Sequence, residues 1–310
     1  MTLEPISMTL YDSDFPAFSD ALGAAFERYG FAVVSDHGLP ASQIKGALDV
    51  ARDVFALPDA VKRRYCIEGG AGQRGYTPFG VETAKGETVS DLKEFWHVGR
   101  DLPEGHPALG LMPANVWPDE VPQFMASMQT LFRAFDQLGA RLLRAVARRL
   151  GLADDALVEA VRDGDSILRL LHYPPLASDA VGVRAGAHED INVITLLLGA
   201  EEAGLQILDR DGRWIDVQPP EGAIVCNIGD MLQRLTNRTL PSTTHRVVNP
   251  SAARRSISRY SMPFFLHFSP EFLIETLPSC VDAARPNLFP TPITSREYLN
   301  ERLRELRLLT

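Results

Sequence analysis

Apolar positions along this chain change period about halfway. In residues 15–30, FPAFSDALGAAFERYG, they recur every three or four residues and stop at a glycine, which predicts a helix. FAVVSDHG (31–38) reads as a short buried strand and turn, and PASQIKGALDVARDVFALP (40–58) as a second helix. Residues 66–92 are rich in glycine, threonine and charge and read as a long loop holding GQRGYTPFG. KEFWHV then alternates, with Lys93, Phe95 and His97 on one face of a strand. The clearest helix covers 121–151: Phe124, Met128, Leu131, Phe135, Leu138, Leu142, Val146 and Leu150 form one stripe, and Gly151 closes it. That stripe is core packing.

Beyond Asp165 the period shortens to two. About seven short runs alternate with Pro, Gly and Asp turns: ILRLLHYPP (167–175), NVITLLLG (192–199), LQILDRDG (205–212), WIDVQPP (214–220), AIVCNIGD (223–230), HRVVNP (245–250) and RYSMPFFLH (259–267). This spacing suits a sandwich or a closed roll. SREYLNERLRELRLL (295–309) reads as an amphipathic helix with arginines late in it, where the helix dipole favours them. The expected fold class is mainly β with flanking helices. The expected division is an N-terminal α/β module at 1–110, then a linking helix, roll and C-terminal helix at 111–310, packed as one unit.

Composition narrows the partners. The 310 residues are 45% apolar and 23% charged, as in an ordinary globular chain, and carry a net charge of −9. An acidic chain argues against an extended nucleic-acid or anionic membrane surface. A few arginines in a cleft still permit a small anionic substrate. Cys66, Cys226 and Cys280 are odd in number and far apart, so neither a disulfide framework nor a cysteine zinc site is expected, and each is read as a small buried hydrophobe. The N-terminus lacks the pattern of a signal peptide, and no apolar run approaches a membrane span, so a cytoplasmic soluble protein is expected, with no obligate protein partner implied.

The chemistry centres on GAHEDINVITLLL (186–198). In an extended segment His188 and Asp190 share a face and Glu189 points away. His245, 55 positions after Asp190, again stands directly before an apolar strand. Two histidines and one carboxylate at the mouth of a roll make a facial triad with open positions, the set favoured by Fe(II) oxygenases. A solvated turn and a strand-end histidine are the plain alternatives for each residue alone. Arg259 and Ser261 share a face of RYSMPFFLH and read as a clamp for a carboxylate. Tyr173 ends its strand before two prolines, with its hydroxyl available to a bound carboxylate or to the core. In CNIGDMLQRLTN, Asp230 reads as structural, within a tight turn near the metal.

With these residues placed, the chain resembles the isopenicillin N synthase-like branch of the 2-oxoglutarate- and Fe(II)-dependent dioxygenases. HEDINVITLLL is similar to that family's HxDxxxxTLL, NIGDMLQRLTN…STTHRVV to NxGDxLxxxTNxxxxSxxHRV, RYSMPFFLH to RxSxPFF, LLHYPP to NYYPP, and AFERYGFAVVSDHGLP to the GFFxVxNHG of its N-terminal module. The resemblance covers nearly the whole chain. It implies a distorted double-stranded β-helix, or jelly roll. It implies Fe(II) held by His188, Asp190 and His245, and 2-oxoglutarate held by Arg259, Ser261 and Tyr173. It implies that O2 and 2-oxoglutarate are consumed, with release of CO2 and succinate, as a second small molecule is hydroxylated, desaturated or cyclised. His172 replaces the asparagine of NYYPP, a change expected to alter packing near the cosubstrate, and Asp36 replaces an asparagine without expected consequence.

Substrate contacts are expected from Arg74, Tyr76, Lys93, Phe95 and His97, although each also reads as an ordinary loop or packing residue. The rival readings are an oxidase of the same fold that does not use 2-oxoglutarate, a zinc hydrolase and a binding jelly roll without activity. The hydrolase leaves the Arg259–Ser261 pair without a purpose.

Overall fold

The computed structural model describes residues 3–82, 90–176, 182–198, 204–251 and 254–305. The chain begins with β1 (Pro5–Ser7), α1 (Met8–Ser13), α2 (Phe15–Tyr29), β2 (Phe31–Ser35), α3 (Ala41–Phe55), α4 (Asp59–Lys62), β3 (Gly75–Thr77) and β4 (Glu94–Gly99). It continues through α5 (Phe124–Arg149), α6 (Ala156–Val161), β5 (Ile167–Tyr173), β6 (Ala185–His188), β7 (Ile194–Leu198), β8 (Leu205–Leu208), β9 (Trp214–Asp216) and β10 (Ile224–Ile228). It ends with α7 (Asp230–Leu235), β11 (His245–Val247), β12 (Arg259–Ser261), β13 (Pro263–Leu266), β14 (Leu273–Ile274), β15 (Ile293–Thr294) and α8 (Ser295–Glu305).

The predicted helices form where their stripes meet a core. Asp14 caps α2 by accepting from the Ala17 N–H at 3.0 Å, and Gly30 closes it at φ +67°. A Cβ at Gly30 would also lie 2.4 Å from the Pro241 carbonyl, so only glycine serves there. Phe18, Leu22 and Phe26 bury one face of α2, which packs against α5. On α5, Phe135 stacks on Phe264 of β13 at 5.5 Å and Phe132 meets the same ring edge-on at 5.0 Å. Burying each such ring contributes on the order of 1.5–3 kcal/mol.

Among the described residues, nine strands form one sheet in the order β1-β2-β10-β7-β13-β5-β4-β3, with β12 also on β5. Four more form a second sheet, β6-β11-β8-β9. Every pair in these sheets is antiparallel except β1 with β2. Phe31, Val33 and Val225 of the large sheet pack with Leu205 and Ile207 of the small one, closing the two layers on each other as a jelly roll. The other face of the large sheet lies under α2 and α5 in the main core. The N-terminal strands extend both edges of the large sheet, so the roll and the first hundred residues share one sheet.

Several sequence expectations are corrected here. β6 was not foreseen: RAGAH has no β-branched residue, and it becomes a strand only because β11 pairs with it. RYSMPFFLH is two strands; β12 pairs with β5, and beyond Met262 β13 spans β5 and β7. The 66–92 loop contains β3, whose three residues pair with β4, while residues 83–89 lie outside the described residues. Asp230 opens α7 rather than sitting in a tight turn. Cys66 is exposed, unlike the buried Cys226 and Cys280. The last part of the expected 295–309 helix, from 306, lies outside the described residues.

Candidate metal and cosubstrate site

β6 and β11 pair so that His188 stands opposite His245, with ring centroids 4.4 Å apart. Asp190 follows just past the end of β6, and its Oδ1 lies 3.8 Å from both histidine Nε2 atoms. The three ligand atoms lie within 4.8 Å of one another. Each ring is fixed from behind. His188 Nδ1 pairs with the Gly186 carbonyl at 2.8 Å and His245 Nδ1 with that of Thr243 at 3.1 Å. A carbonyl only accepts, so Nδ1 carries the proton and each Nε2 presents a lone pair to the common point. Burial, and then the neighbouring His245, push the His188 pKa down to about 4, which keeps the ring neutral as a ligand must be.

Asp190 is arranged for the same purpose. Its Oδ2 accepts from Thr195 Oγ1 at 2.5 Å and from Asn227 Nδ2 at 2.7 Å, which leaves Oδ1 to face the histidines. Burial alone would raise its pKa, but the two histidines and those hydrogen bonds hold it below the ordinary carboxylate value. Two neutral imidazoles and one oriented carboxylate suit a divalent first-row cation.

The turn between β10 and α7 grips this segment. Gly229 N–H donates to the Val193 carbonyl at 2.9 Å, Asp230 N–H to that of Asp190 at 2.9 Å and Met231 N–H to that of Asn192 at 3.1 Å. A Cβ on Gly229 would lie 2.2 Å from the Asn192 carbonyl oxygen. Gly229→Ala is therefore expected to cost about 1–3 kcal/mol and to lower iron content, read by thermal melting and metal analysis. Full iron occupancy in that variant would mean the segment tolerates displacement. The Asp230 carboxyl is raised to about 8 by burial and accepts from Tyr298 Oη of α8 at 3.0 Å. A helix not assigned to the site from sequence is thus tied to the turn behind it.

β5 and β12 place Tyr173 beside Arg259 and Leu171 beside Ser261. The Arg259 guanidinium lies 4.9 Å from the Tyr173 ring centre, and Tyr173, Arg259 and Ser261 are all buried. His172 faces the other way: its Nδ1 meets Glu94 at 2.7 Å and its ring stacks on Tyr260 at 4.6 Å. The expected effect on packing around Tyr173 is corrected accordingly, because successive strand residues take opposite faces.

A cavity of about 710 Å³ opens beside His188 and Asp190. Arg74, Tyr76, Lys93, Phe95 and His97 all contribute to its wall, but not alike. The Arg74 guanidinium is fully buried and pairs with Asp165 at 2.6 Å, and the Tyr76 hydroxyl turns to Glu94 on the core side of β4. Lys93 is bound by Asp91 and Glu82, each at 2.7 Å. Sequence reading missed Arg169, whose Nε lies 2.5 Å from His97 Nε2 and whose guanidinium covers Phe95 at 4.4 Å and Phe265 at 5.2 Å. The signal was present as one charged residue inside the apolar strand ILRLLHY. Burial, with Arg169 next, holds His97 neutral, well below the usual histidine pKa. Leu299, Arg302 and Leu303 of α8 complete another part of the wall.

Comparison with known proteins places this geometry. Residues 3–120 match the family model described as the N-terminal region of non-haem dioxygenase in morphine synthesis, and 164–268 match that of the 2OG-Fe(II) oxygenase superfamily. The chain is 33% identical over 285 residues to a 2-oxoglutarate-Fe(II) type oxidoreductase, hxnY, of Emericella nidulans, covering 88% of this chain and 80% of that protein. It is 34% identical over 291 residues to the 2-oxoglutarate-dependent dioxygenase htyE of Aspergillus rugulosus, covering 87% of each. A crystal structure of a 2OG-Fe(II) oxygenase family protein of Caulobacter crescentus superposes with a TM-score of 0.92 at 55% identity, over 98% of this chain and 99% of that one. A full-length Neurospora crassa protein in complex with α-KG and thymine superposes at 0.84 with 29% identity, over 97% and 96%.

Proposed function

Because the chain belongs to the 2OG-Fe(II) oxygenase superfamily, we propose that His188, Asp190 and His245 hold its iron and that Arg259, Ser261 and Tyr173 hold its cosubstrate. The enzyme is a 2-oxoglutarate-dependent dioxygenase, coupling oxidative decarboxylation of 2-oxoglutarate by O2 to the oxidation of a second small molecule. The observation that carries the residue assignment is the meeting of two lone-pair nitrogens and one free carboxylate oxygen, 3.8 Å from each, with His188 and Asp190 on one segment and His245 brought to them from β11 by strand pairing.

When bound, Fe(II) supplies the O2 and one-electron chemistry that side chains lack. The protein's own part is positional. Gly186 and Thr243 carbonyls set the histidine tautomers, and Thr195 and Asn227 turn the aspartate. Arg259 offers a planar fork to the distal carboxylate, Ser261 adds a hydroxyl donor, and Tyr173 lies against the guanidinium. The substrate is assigned to the 710 Å³ cavity, where Phe95, His97 and Lys93 share the face of β4 that also meets Arg169. Arg74 and Tyr76 act there chiefly by shaping the wall. A cytoplasmic setting accords with three free cysteines, and no described helix is long and apolar enough to cross a membrane.

The test is anaerobic. Adding Fe(II) and then 2-oxoglutarate to the protein is expected to produce a weak visible charge-transfer band, lost in Arg259→Ala at limiting cosubstrate. Iron bound without such a band would remove the cosubstrate assignment. Iron retention after alanine replacement of all three triad residues would remove the metal assignment.

A further inference from the structure

We propose that Asp91 is a positioning residue for the metal: it holds the Gly186 peptide behind His188, with Lys93 as its counter-ion. This rests on the assignment of His188 as an iron ligand above. β6 ends the small sheet, and among the described residues β11 is its only strand partner. Their pairing supplies two registered positions, His188 with His245 and Ala185 with Val247, with an irregularity between them. Three residue steps on β6 face two on β11, so the ladder is broken where Gly186 and Ala187 lie. Gly186 is held there by a side chain instead. Its N–H donates to Asp91 Oδ1 at 3.0 Å, in a buried setting. Its carbonyl pairs with His188 Nδ1 at 2.8 Å. One residue thus meets Asp91 on its N–H and a metal ligand on its C=O.

Asp91 is itself fixed. It is buried, and the Lys93 N–H donates to its carbonyl at 2.9 Å in a tight turn. That turn brings the two side chains together, with Lys93 Nζ 2.7 Å from Asp91 Oδ2. Between them the Leu92 N–H donates to the Val183 carbonyl at 3.1 Å, three residues before Gly186. Residues 91–93 therefore grip the approach to β6 at two points. A carboxylate that accepts from a backbone N–H makes a charge-assisted bond, roughly twice as strong as a neutral one. Lys93 offsets the cost of burying that charge. Lys93 is shared with Glu82 at 2.7 Å, and Glu82 reaches Arg169 at 3.3 Å. All four side chains line the cavity. A chain of ion pairs thus runs from the cavity wall to the peptide behind a metal ligand. The Lys93 ammonium, committed to two carboxylates, acts on the metal through Asp91.

The probe is Co(II) alone, which takes nitrogen and oxygen ligands as Fe(II) does and reports their geometry in its visible d–d bands. Metal-free full-length protein is titrated with Co(II), and a melting curve is recorded without metal. Asp91→Ala removes the acceptor and is expected to raise the Co(II) dissociation constant roughly 10- to 100-fold, the scale for groups that orient a metal ligand. Asp91→Asn keeps the shape and loses the charge. It is expected to fall between wild type and Asp91→Ala in affinity and to alter the d–d bands. A folded Asp91→Asn with wild-type Co(II) affinity and spectrum, whatever its melting midpoint, makes Asp91 a structural residue and overturns the proposal. That variant decides the matter if Asp91→Ala does not fold. His188→Ala is the control for the underlying assignment and is expected to bind Co(II) more weakly than either. If His188→Ala binds Co(II) as wild type does, His188 is not a ligand and the site itself is misassigned.

Discussion

Asp190→Ala is expected to lose Fe(II) and, with it, 2-oxoglutarate turnover, by roughly a thousandfold or more. Loss of a residue that merely orients a ligand costs about 10- to 100-fold, and Asp190 is the one anionic member of the triad. Its removal leaves two neutral imidazoles, whose nitrogens still converge but bring no charge to offset a divalent ion. It also strips Thr195 Oγ1 and Asn227 Nδ2 of their shared acceptor, and an unmet buried donor costs about 1–3 kcal/mol. Metal content after anaerobic reconstitution, succinate formation and a melting curve separate the two effects. Asp190→Asn keeps most of the shape and loses the charge, so it should fold better than the alanine variant while binding iron no better than a few per cent of wild type. Stoichiometric iron with near-normal succinate formation in Asp190→Ala would remove Asp190 from the site.

Glu94→Ala should be the most destabilising change outside the apolar core, at about 3–5 kcal/mol, the usual cost of breaking a buried ion pair from one side. Glu94 lies on the core face of β4, opposite the cavity. It accepts from Lys62 Nζ at 2.7 Å, from the Tyr76 hydroxyl, and meets His172 Nδ1 at 2.7 Å. Without it Lys62 remains buried, with Asp59 no nearer than 3.6 Å. A melting midpoint lower by roughly 6–15 °C is expected. The pH dependence has a definite sign. Burial would raise the Glu94 pKa, but the hydrogen bonds from His172, Lys62 and Tyr76 outweigh it and the folded value lies below the ordinary 4.5. A depressed carboxyl contributes its stability above the unfolded pKa and loses it as pH falls through the folded one. The gap between wild type and Glu94→Gln should therefore be full near pH 7 and shrink as the pH drops below about 4.5. A cost under 1 kcal/mol for Glu94→Ala at pH 7 would show that the cluster is solvated. Because Lys93, Phe95 and His97 stand on the other face, iron binding by the folded fraction should survive.

Local periodicity carried much of this protein. The stripe from Phe124 to Val146, the Gly30 stop after α2 and the alternation in KEFWHV were legible because helix and strand faces are set by near neighbours. The triad residues were legible as polar positions at the mouths of apolar runs, and Arg259 and Ser261 as an i, i+2 pair. Nothing local, however, marked RAGAH as a strand or placed His188 opposite His245. That register comes from β6 pairing with β11 across more than fifty residues. Which face of β5 takes Tyr173 and which takes His172 likewise follows from pairing with β4 and β12. The Arg169 wall, the grip of the 229–231 turn on Asp190 and the bond of Gly186 to Asp91 join groups from separate strands and loops. Such contacts depend on sheet order and strand register, which are fixed only when distant segments pair and bury their apolar faces together.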